Sequence, residues 1–416
     1  MIEELQKRPF VRPLLLWIAG IILQVCFPLS ELSVWLLLPV AIVVVISFCF
    51  SGKQSAPVYS FRWLWGVLIS CVIIFMSIRT TDYMETHDPP KAERLMQKAR
   101  ETQTYLAHKL DNLQLSDNEK SILATITISY RQTLPRETRR QFSTVGVAHI
   151  LAVSGFHVGI VYGALLLALS FLPRRRGFGY LKTALIFLGI WTFAFIAGLG
   201  VSTVRATIMI SIYLVGKAFG RRPERYNTLA AAAFILLVYN PYNLFDIGFQ
   251  LSFTAVFFIF LIQRPLSNLI PVRNPLLKTP WDILTVTTAA QTGVMFLCCY
   301  YFGTFTTVFL IANLVLSLIA TALIPLGLLW MLLPAGLPYV APLQWLVETL
   351  MHGFMWFISR LFIIPWASLP IRFDWVTTIC AYISLLTLIR FFYNRRARTL
   401  IISLSVLLAT IIWGMF

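Results

Sequence analysis

Long apolar runs separated by short polar segments follow one another along most of this chain of 416 residues. A helix needs about 20 apolar residues to cross a hydrocarbon core of roughly 30 Å, and most of these runs approach that length. The pattern therefore predicts an all-α, polytopic transmembrane helical bundle with about 11–13 spans. The clearest runs cover residues 13–29, 32–50, 63–79, 150–172, 183–199, 202–219, 227–240, 247–263, 281–301, 374–393 and 399–416.

Two further stretches depart from the pattern of single apolar spans. Proline interrupts the first, which predicts two short helices over 306–319 and 322–333. The second, 341–362, is amphipathic and is predicted to be a helix lying along the membrane interface. On its polar face, Glu348 and His352 are four positions apart, a spacing compatible with metal binding, but no third ligand accompanies them. That face carries Gln344, Glu348, His352 and Ser359.

The polar segment 81–148 is the one sizeable part of the chain without a predicted span. Ser116 and Glu119 form a capping box, which predicts the start of a helix. Pro135 begins another helix that Gly146 ends. The segment is therefore predicted to be a small helical extracytoplasmic insert, and whether it has a chemical role is left open.

These features divide the chain into four parts. Residues 1–80 hold the N-terminal transmembrane helices, and 81–148 form the insert. Residues 149–335 form a core of spans that contains the candidate site residues. Residues 336–416 hold the interfacial helix and the C-terminal transmembrane helices.

Composition supports the membrane assignment and excludes an ordinary soluble domain. Hydrophobic residues make up 58% of the chain and charged residues 12%, whereas soluble domains carry about 25% charged residues. The six cysteines lie inside apolar runs without metal-ligand spacing, so we interpret them as small buried hydrophobic residues. The formal net charge of +17 suggests a nucleic-acid partner, but membrane proteins collect Lys and Arg on cytoplasmic loops whatever they transport.

The distribution of basic residues predicts the orientation of the chain. With the N-terminus inside, twenty Lys and Arg residues lie in the predicted cytoplasmic segments, and only Arg360 and Arg372 lie in the short outer loops. The positive-inside rule then places the N-terminus in the cytoplasm and the C-terminus outside. This count requires 306–333 to cross the membrane an even number of times and 341–362 to lie along the interface.

The run from His149 to Gly159 places two His, one Ser and two Gly within an otherwise apolar span. Polar groups inside a membrane are costly and usually face a cavity or a neighbouring helix. Along one helix, His149 and His157 would be separated by about 12 Å, which argues against a shared metal. Ser154 and His157, three residues apart, would meet on one helix face. Two interpretations stay open, a polar seam that packs helices together and a functional cluster.

A second polar group surrounds Arg205, between Gly198 and Ala206. Gly and Ser residues there end one span and begin the next, so Arg205 lies about one turn inside the bilayer. An Arg near the bilayer centre costs roughly 2.5–3.5 kcal/mol to insert, and less near an interface. Either its side chain reaches back to the interface, or it faces a polar pore together with Ser202.

A third polar group begins at Asn240, where a short helix ends, and includes Asp246, which can cap the next helix. Asp246 and Gln250 are four apart and share a helix face. Asp246 is also placed to pair with Arg205. The alternative is plain capping at a membrane boundary. The full set of candidate pore-lining residues is His149, Ser154, His157, Ser202, Arg205, Asn240, Asp246, Gln250, Gln291 and Asn313.

In their order and spacing, the three groups resemble the signatures of the ComEC family of competence proteins. His149–His157 is similar to the family's H-L-L-A-x-S-G-x-H-V signature. Ser202–Ala206 is similar to its P-S-x-x-R-A segment, with Val201 in place of Pro. Asn240–Ala255 resembles its N-P-x-x-L-x-D-x-G-F-Q-L-S-F-x-A block. The resemblance covers roughly residues 120–335.

The resemblance implies a channel that carries single-stranded DNA inward across the bacterial inner membrane during natural competence. Implied partners are single-stranded DNA, the lipid bilayer, a separate extracellular DNA-binding or nuclease protein, and a cytoplasmic ATP-driven motor or strand-binding protein. Homodimerisation is left open. Family members commonly carry an OB domain where this chain has 81–148, and many end in a metallo-β-lactamase-like domain. The five His of this chain contain no H-x-H-x-D-H motif.

Two other classes of function stay open beside the channel. Ser154 with His149 or His157 superficially resembles the Ser/His dyad of an intramembrane hydrolase, although catalysis also needs an oxyanion site and substrate access. A small-molecule or ion transporter would show inverted repeats, and no clear repeat appears in the span pattern. No G-x-x-x-x-G-K-[ST] loop is present. The sequence therefore predicts a channel without nuclease or ATPase activity, metal or cofactor.

Overall fold

The structure is a computed structural model that describes residues 8–28, 62–87, 93–172, 176–220, 224–333 and 341–413, with positions 35, 38 and 42. Over these ranges the chain is almost entirely helical, which confirms the all-α prediction. The predicted span over 32–50 lies almost wholly outside the described residues.

Sixteen α-helices and two short strands succeed one another in the described ranges, with 3₁₀ turns at Lys109–Asn112 and Pro241–Phe245. The helices and strands are α1 (Val11–Cys26), α2 (Arg62–Thr86), α3 (Glu93–His108), α4 (Asp117–Ile128), α5 (Arg136–Val145), α6 (Ala148–Leu151), α7 (Gly155–Ala168), α8 (Arg176–Ile196), α9 (Val201–Ala218), α10 (Arg225–Tyr239), α11 (Ile247–Ser267), α12 (Pro275–Phe302), β1 (Thr304–Thr306), α13 (Phe309–Leu332), α14 (Ala341–Phe362), β2 (Ser368–Pro370), α15 (Trp375–Asn394) and α16 (Ala397–Trp413).

Seven of these helices, α2, α8, α9, α11, α12, α13 and α15, are long and apolar enough to cross a membrane. Four shorter apolar helices, α1, α7, α10 and α16, correspond to further predicted runs. The chain is therefore a multi-pass membrane protein, as the hydropathy pattern predicts.

The helices form two compact units. The first holds what is described of residues 1–99, 165–195 and 201–253. In it, α1 packs along α2 and α10 around a small apolar core that includes Trp17 and Leu237. The second unit holds what is described of residues 100–164, 196–200 and 254–416.

The larger apolar core lies in the second unit, and helices of the insert are part of it. Every residue of α4 from Ile122 to Ile128 is buried, in a core shared with α13 and α14. Helix α5 also packs against α14. The insert is thus packed against α13, a helix long and apolar enough to span a membrane.

Local signals set the helix ends in the insert as the sequence predicts. Ser116 Oγ accepts a hydrogen bond from the Glu119 N–H (3.3 Å), and the Glu119 carboxylate accepts one from the Ser116 N–H (3.0 Å). Helix α5 begins after Pro135 and ends at Gly146, whose φ of +82° is in the left-handed region that favours glycine. A Cβ at this glycine would also lie 2.7 Å from Thr306 Cγ2.

The predicted helix pair over 306–319 and 322–333 is wrong. The structure has one continuous helix, α13, with Pro325 inside it. A proline removes one backbone hydrogen bond and favours a break. Here the buried packing of α13 against α4 and α14 outweighs that local preference.

Helix α14, predicted to lie along the membrane interface, is not among the seven candidate spans and packs against α13. Strand β1 precedes α13, strand β2 follows α14, and the strands pair antiparallel with Thr304 opposite Pro370. Helices α13 and α14, which pack together, therefore form a hairpin whose two ends lie on the same side. Because its two ends pair, the segment from Thr304 to Pro370 begins and ends on the same side, which is compatible with the predicted orientation. Val347, Met351 and Phe354 of α14 are fully buried.

Candidate functional site

The second and third polar groups meet in the first unit, around Arg205. Arg205 lies in the second turn of α9, inside a candidate span, and its side chain is only 6% exposed. Its Nη1 donates a hydrogen bond to Asp246 Oδ1 (3.2 Å), and its Nη2 donates one to Ser252 Oγ (3.3 Å). The predicted ion pair between Arg205 and Asp246 therefore forms.

The start of α11 is built to receive this guanidinium. Asp246 caps the helix, because the same Oδ1 accepts a hydrogen bond from the Phe249 N–H (2.7 Å). Gly248 gives the guanidinium room, since a Cβ there would lie 3.0 Å from Arg205 Nη2. The Asp, Gly and Ser of this segment thus contact one cation, which explains their spacing.

The two charged side chains of this pair differ in their exposure to solvent. The Asp246 side chain is 48% exposed, whereas that of Arg205 is almost fully buried. Arg205 Nε is buried and has no hydrogen-bond partner among the described residues. A buried donor without a partner is costly, and a cation inside a span usually faces a polar cavity or marks a transport pathway.

The side chains of Asn240 and Gln250 form hydrogen bonds with backbone groups beside this pair. Asn240 Oδ1 accepts a hydrogen bond from the Tyr242 N–H (3.0 Å), and Gln250 Nε2 donates one to the Leu244 carbonyl (3.0 Å). The capping interpretation therefore accounts for these hydrogen bonds of the two residues. Ser202 is partly buried in the first turn of α9.

The first polar group lies in the second unit, and the helix breaks within it. Helix α6 ends at Leu151 and α7 begins at Gly155, so the predicted continuous span over 150–172 is wrong at its start. His149 and His157 therefore do not lie along one helix. His157 is fully buried in α7, whereas His149 is exposed.

Ser154 and His157 do meet, through two contacts to the same ring nitrogen. Ser154 Oγ lies 3.2 Å from His157 Nδ1, and the Ser154 backbone N–H donates to the same nitrogen (3.3 Å). A neutral imidazole has one acceptor nitrogen, so the hydroxyl competes for a lone pair already in use. His157 Nε2 is buried, and no carboxylate in the described part of the chain hydrogen-bonds to it, so the ring lacks the acidic partner of a catalytic triad.

The remaining candidates stand apart from that contact. Asn313 is buried in α13, and its Nδ2 donates to the Phe309 carbonyl of its own helix (2.8 Å). Gln291 is partly buried in α12. Within the described ranges, no group of three or more His, Cys, Asp or Glu is placed to hold a metal ion.

Sequence reasoning missed the role of the polar face of α14, which receives the insert. Glu348 Oε1 accepts hydrogen bonds from the Gln114 N–H (2.6 Å) and from Gln344 (2.8 Å). His352 Nδ1 lies 2.8 Å from Glu119 Oε1. The signal was visible as polar residues at helical spacing, but their partners lie more than 200 residues away in the sequence.

The electrostatics of Glu119 reflect this docking. Partial burial raises the pKa of Glu119, but hydrogen bonds from Ser116 and the contact with His352 outweigh it, so the net pKa lies below its ordinary value of 4.5. The carboxylate that caps α4 is therefore held ionised where α4 meets α14.

Comparisons with known proteins find one matching family model and two related proteins. A family model described as Competence protein matches residues 126–396. ComE operon protein 3 of Bacillus subtilis (strain 168) is 28% identical over 207 residues, 49% of this chain and 25% of that protein. An uncharacterized protein of Aquifex aeolicus (strain VF5) is 28% identical over 173 residues, 41% of this chain and 40% of that protein. The chain thus spans less than half the length of these relatives, and no solved structure matches.

Proposed function

This chain belongs to the competence protein family, and on that premise we propose that it forms the channel through which single-stranded DNA enters a bacterial cell during natural transformation. The observation that carries the proposal is the buried Arg205, paired with the half-exposed Asp246 inside a candidate span. A cation retained there at the cost of burial fits a polar path for an anion.

The physical demands on such a channel match what the first unit offers. A hydrocarbon core of about 30 Å holds up to about 9 phosphates at a spacing of 3.4 Å. A polyanion cannot cross lipid, yet it would be trapped by a wall lined with many cations, so conduction needs contacts that are numerous and weak. One Arg, partly neutralised by Asp246, beside neutral donors and acceptors such as Ser202 meets that demand.

Energy for inward movement is proposed to come from other proteins. With the cytoplasm negative, each inward phosphate charge costs about 2.3 kcal/mol per 100 mV. We infer a cytoplasmic ATP-driven motor or strand-binding protein, and an extracellular DNA-binding or nuclease protein that supplies the strand. In the proposed orientation the chain lies in the inner membrane with its N-terminus in the cytoplasm.

The test is uptake of labelled DNA into the cytoplasm by cells that carry Arg205 variants, with membrane abundance measured alongside. Arg205→Gln is expected to abolish uptake. Arg205→Lys is expected to impair it, because an ammonium lacks the planar fork that contacts Asp246 and Ser252 together. Lys217→Gln removes an exposed cation from the last turn of the same helix and is the matched control. Normal uptake by an abundant Arg205→Gln variant would leave Arg205 as a membrane anchor only.

A further inference from the structure

A cleft of about 590 Å³ lies in the second unit, at the end where β1 and β2 pair. Its volume is within the range of about 300–1,000 Å³ that small-ligand pockets occupy. None of the candidate pore-lining residues contributes to it. The lining consists of Tyr300, Tyr301, Arg372, Phe373, Asp374 and Trp375.

Backbone hydrogen bonds fix the walls of this cleft. Helix α12 ends at Gly303, and the Gly303 carbonyl accepts a hydrogen bond from the Ile371 N–H (3.1 Å). The Phe373 N–H donates to the Cys299 carbonyl in the last turn of α12 (3.2 Å). Arg372 is therefore held between two backbone anchors, beside the tyrosines that end the helix.

The side chains of the cleft expose the indole of Trp375 and the guanidinium of Arg372, and the ring of Tyr300 packs edge to face with that of Tyr301, with 4.8 Å between the centroids. Trp375 is 65% exposed and Tyr300 is 38% exposed. Arg372 is exposed and forms no ion pair with any residue that the structure describes. Asp374, in contrast, is engaged, since its carboxylate accepts hydrogen bonds from the Thr377 N–H (3.0 Å) and from Trp413 Nε1 (3.1 Å).

We propose that this cleft is a stacking site for the bases of a single DNA strand, with Trp375 and Tyr300 offering ring faces and Arg372 contacting the neighbouring phosphate. The inference rests on the proposed function. Stacking on aromatic rings tolerates any sequence, because every base has a π face, and a nearby Arg adds attraction to the backbone. A transport site for DNA of arbitrary sequence needs that tolerance.

The location of the cleft fits a strand that arrives from outside. In the proposed orientation, α12 runs outward, so its C-terminal end and the paired strands lie on the outer side. Arg372 is then one of the two basic residues in the short outer loops. The nearby charge of Asp374 weakens the attraction for phosphate, which keeps the contact reversible.

Trp and Tyr also collect at membrane interfaces without any ligand, and the chain provides a control for that role. Trp366 is 61% exposed and lies just before β2, at the same end of the unit, but it does not line the cleft. An interfacial role predicts the same behaviour for Trp366 and Trp375. A stacking site predicts that only Trp375 affects binding of a strand.

The experiment measures binding of a labelled oligothymidylate of about 15 nucleotides to the full chain in lipid nanodiscs, by fluorescence anisotropy. Trp375→Ala is expected to weaken binding roughly 5- to 150-fold, Arg372→Gln to weaken it as well, and Trp366→Ala to leave it unchanged. An abasic strand of the same length keeps the phosphates but lacks bases, so wild type and Trp375→Ala should bind it alike.

The proposal is overturned if Trp375→Ala binds oligothymidylate as wild type does, or if Trp366→Ala weakens binding equally. It is also overturned if Trp375→Ala weakens binding of the abasic strand to the same extent. Equilibrium binding requires no transport, so the two proposals fail separately. Normal uptake by Arg205→Gln removes the pore role of Arg205, on which the channel proposal rests, and leaves the binding result to stand, whereas unchanged binding by Trp375→Ala removes the cleft alone.

Discussion

Gly327 of α13 and Thr127 of α4 approach each other so closely that a side chain on residue 327 has no room. A Cβ there would lie 2.8 Å from Thr127 Cγ2. The threonine cannot turn away freely, because its hydroxyl donates to the Leu123 carbonyl (2.6 Å) and a β-branched side chain has few rotamers in a helix. This contact seats the insert against a candidate span.

Gly327→Ala should therefore destabilise the second unit by about 1–3 kcal/mol, the usual effect of overpacking a filled core. Thr127→Ser in the same chain should restore most of that loss, because it removes Cγ2 and keeps the hydroxyl. Gly353→Ala, in α14, is the control, since a Cβ there meets no heavy atom within 4 Å. Thermal unfolding in detergent measures all three. Equal stability of the Gly327→Ala and Gly353→Ala variants would contradict the close contact.

The docking of α4 on α14 should depend on acid pH through Glu119. Its pKa in the folded protein is below the ordinary value of 4.5, so the contact contributes stability that is fully present above that value. The contribution is lost as pH falls through the lower folded pKa, because protonation removes the negative charge that the hydrogen bonds from Ser116 and the contact with His352 stabilise.

Thermal midpoints measured between about pH 6 and pH 3 test this dependence. Glu119→Gln should lower the midpoint at pH 6 and flatten part of its fall with acid. Glu137→Gln changes an exposed carboxylate of α5, with a side chain 59% exposed, and should leave the profile unchanged. Identical profiles for wild type and Glu119→Gln would show that the contact contributes no stability.

The features that the sequence predicted correctly depend on local chemistry. The capping box of Ser116 and Glu119 involves two residues three apart, and Gly146 ends a helix through its own backbone conformation. The pairing of Arg205 with Asp246 was predictable for a related reason. Each residue lies near a helix boundary, and an unpaired charge near a membrane span is costly, so the two opposite charges are expected to pair.

The features that the sequence did not predict depend on contacts between distant segments. Pro325 reads as a helix break, but the packing of α13 keeps the helix continuous. The polar face of α14 reads as a surface for water, because the Glu119 that meets His352 is 233 residues away. The break before Gly155 was missed because Ser154 and Gly155 were interpreted as part of a polar seam or functional cluster and not as the start of a helix.

The orientation of the chain gives a further prediction. Because the α13–α14 hairpin begins and ends on the same side, the predicted orientation places residue 112 of the insert outside and residue 268, between α11 and α12, in the cytoplasm. Both Asn112 and Asn268 are exposed, so a cysteine at either position is accessible. In a chain with the six native cysteines replaced, a membrane-impermeant thiol reagent should label Asn112→Cys in intact cells and Asn268→Cys only after lysis. The reverse pattern would invert the topology.

Ser154 provides the final prediction, because it separates the channel from the intramembrane hydrolase. Its hydroxyl lies 3.2 Å from His157 Nδ1, but its backbone N–H donates to that same nitrogen. Ser154→Ala keeps the backbone contact and loses only the hydroxyl. The variant is therefore expected to keep full DNA uptake.

Ser252→Ala is the matched serine variant for this test. Ser252 Oγ accepts a hydrogen bond from buried Arg205, so its removal leaves a second guanidinium nitrogen without a partner in the described structure. We expect Ser252→Ala to lower uptake several-fold at normal membrane abundance, while Ser154→Ala matches wild type. A hydrolase built on Ser154 requires the opposite order, because the nucleophilic hydroxyl cannot be replaced. Loss of uptake in an abundant Ser154→Ala variant would therefore give that hydroxyl a chemical role and count against a purely conducting path.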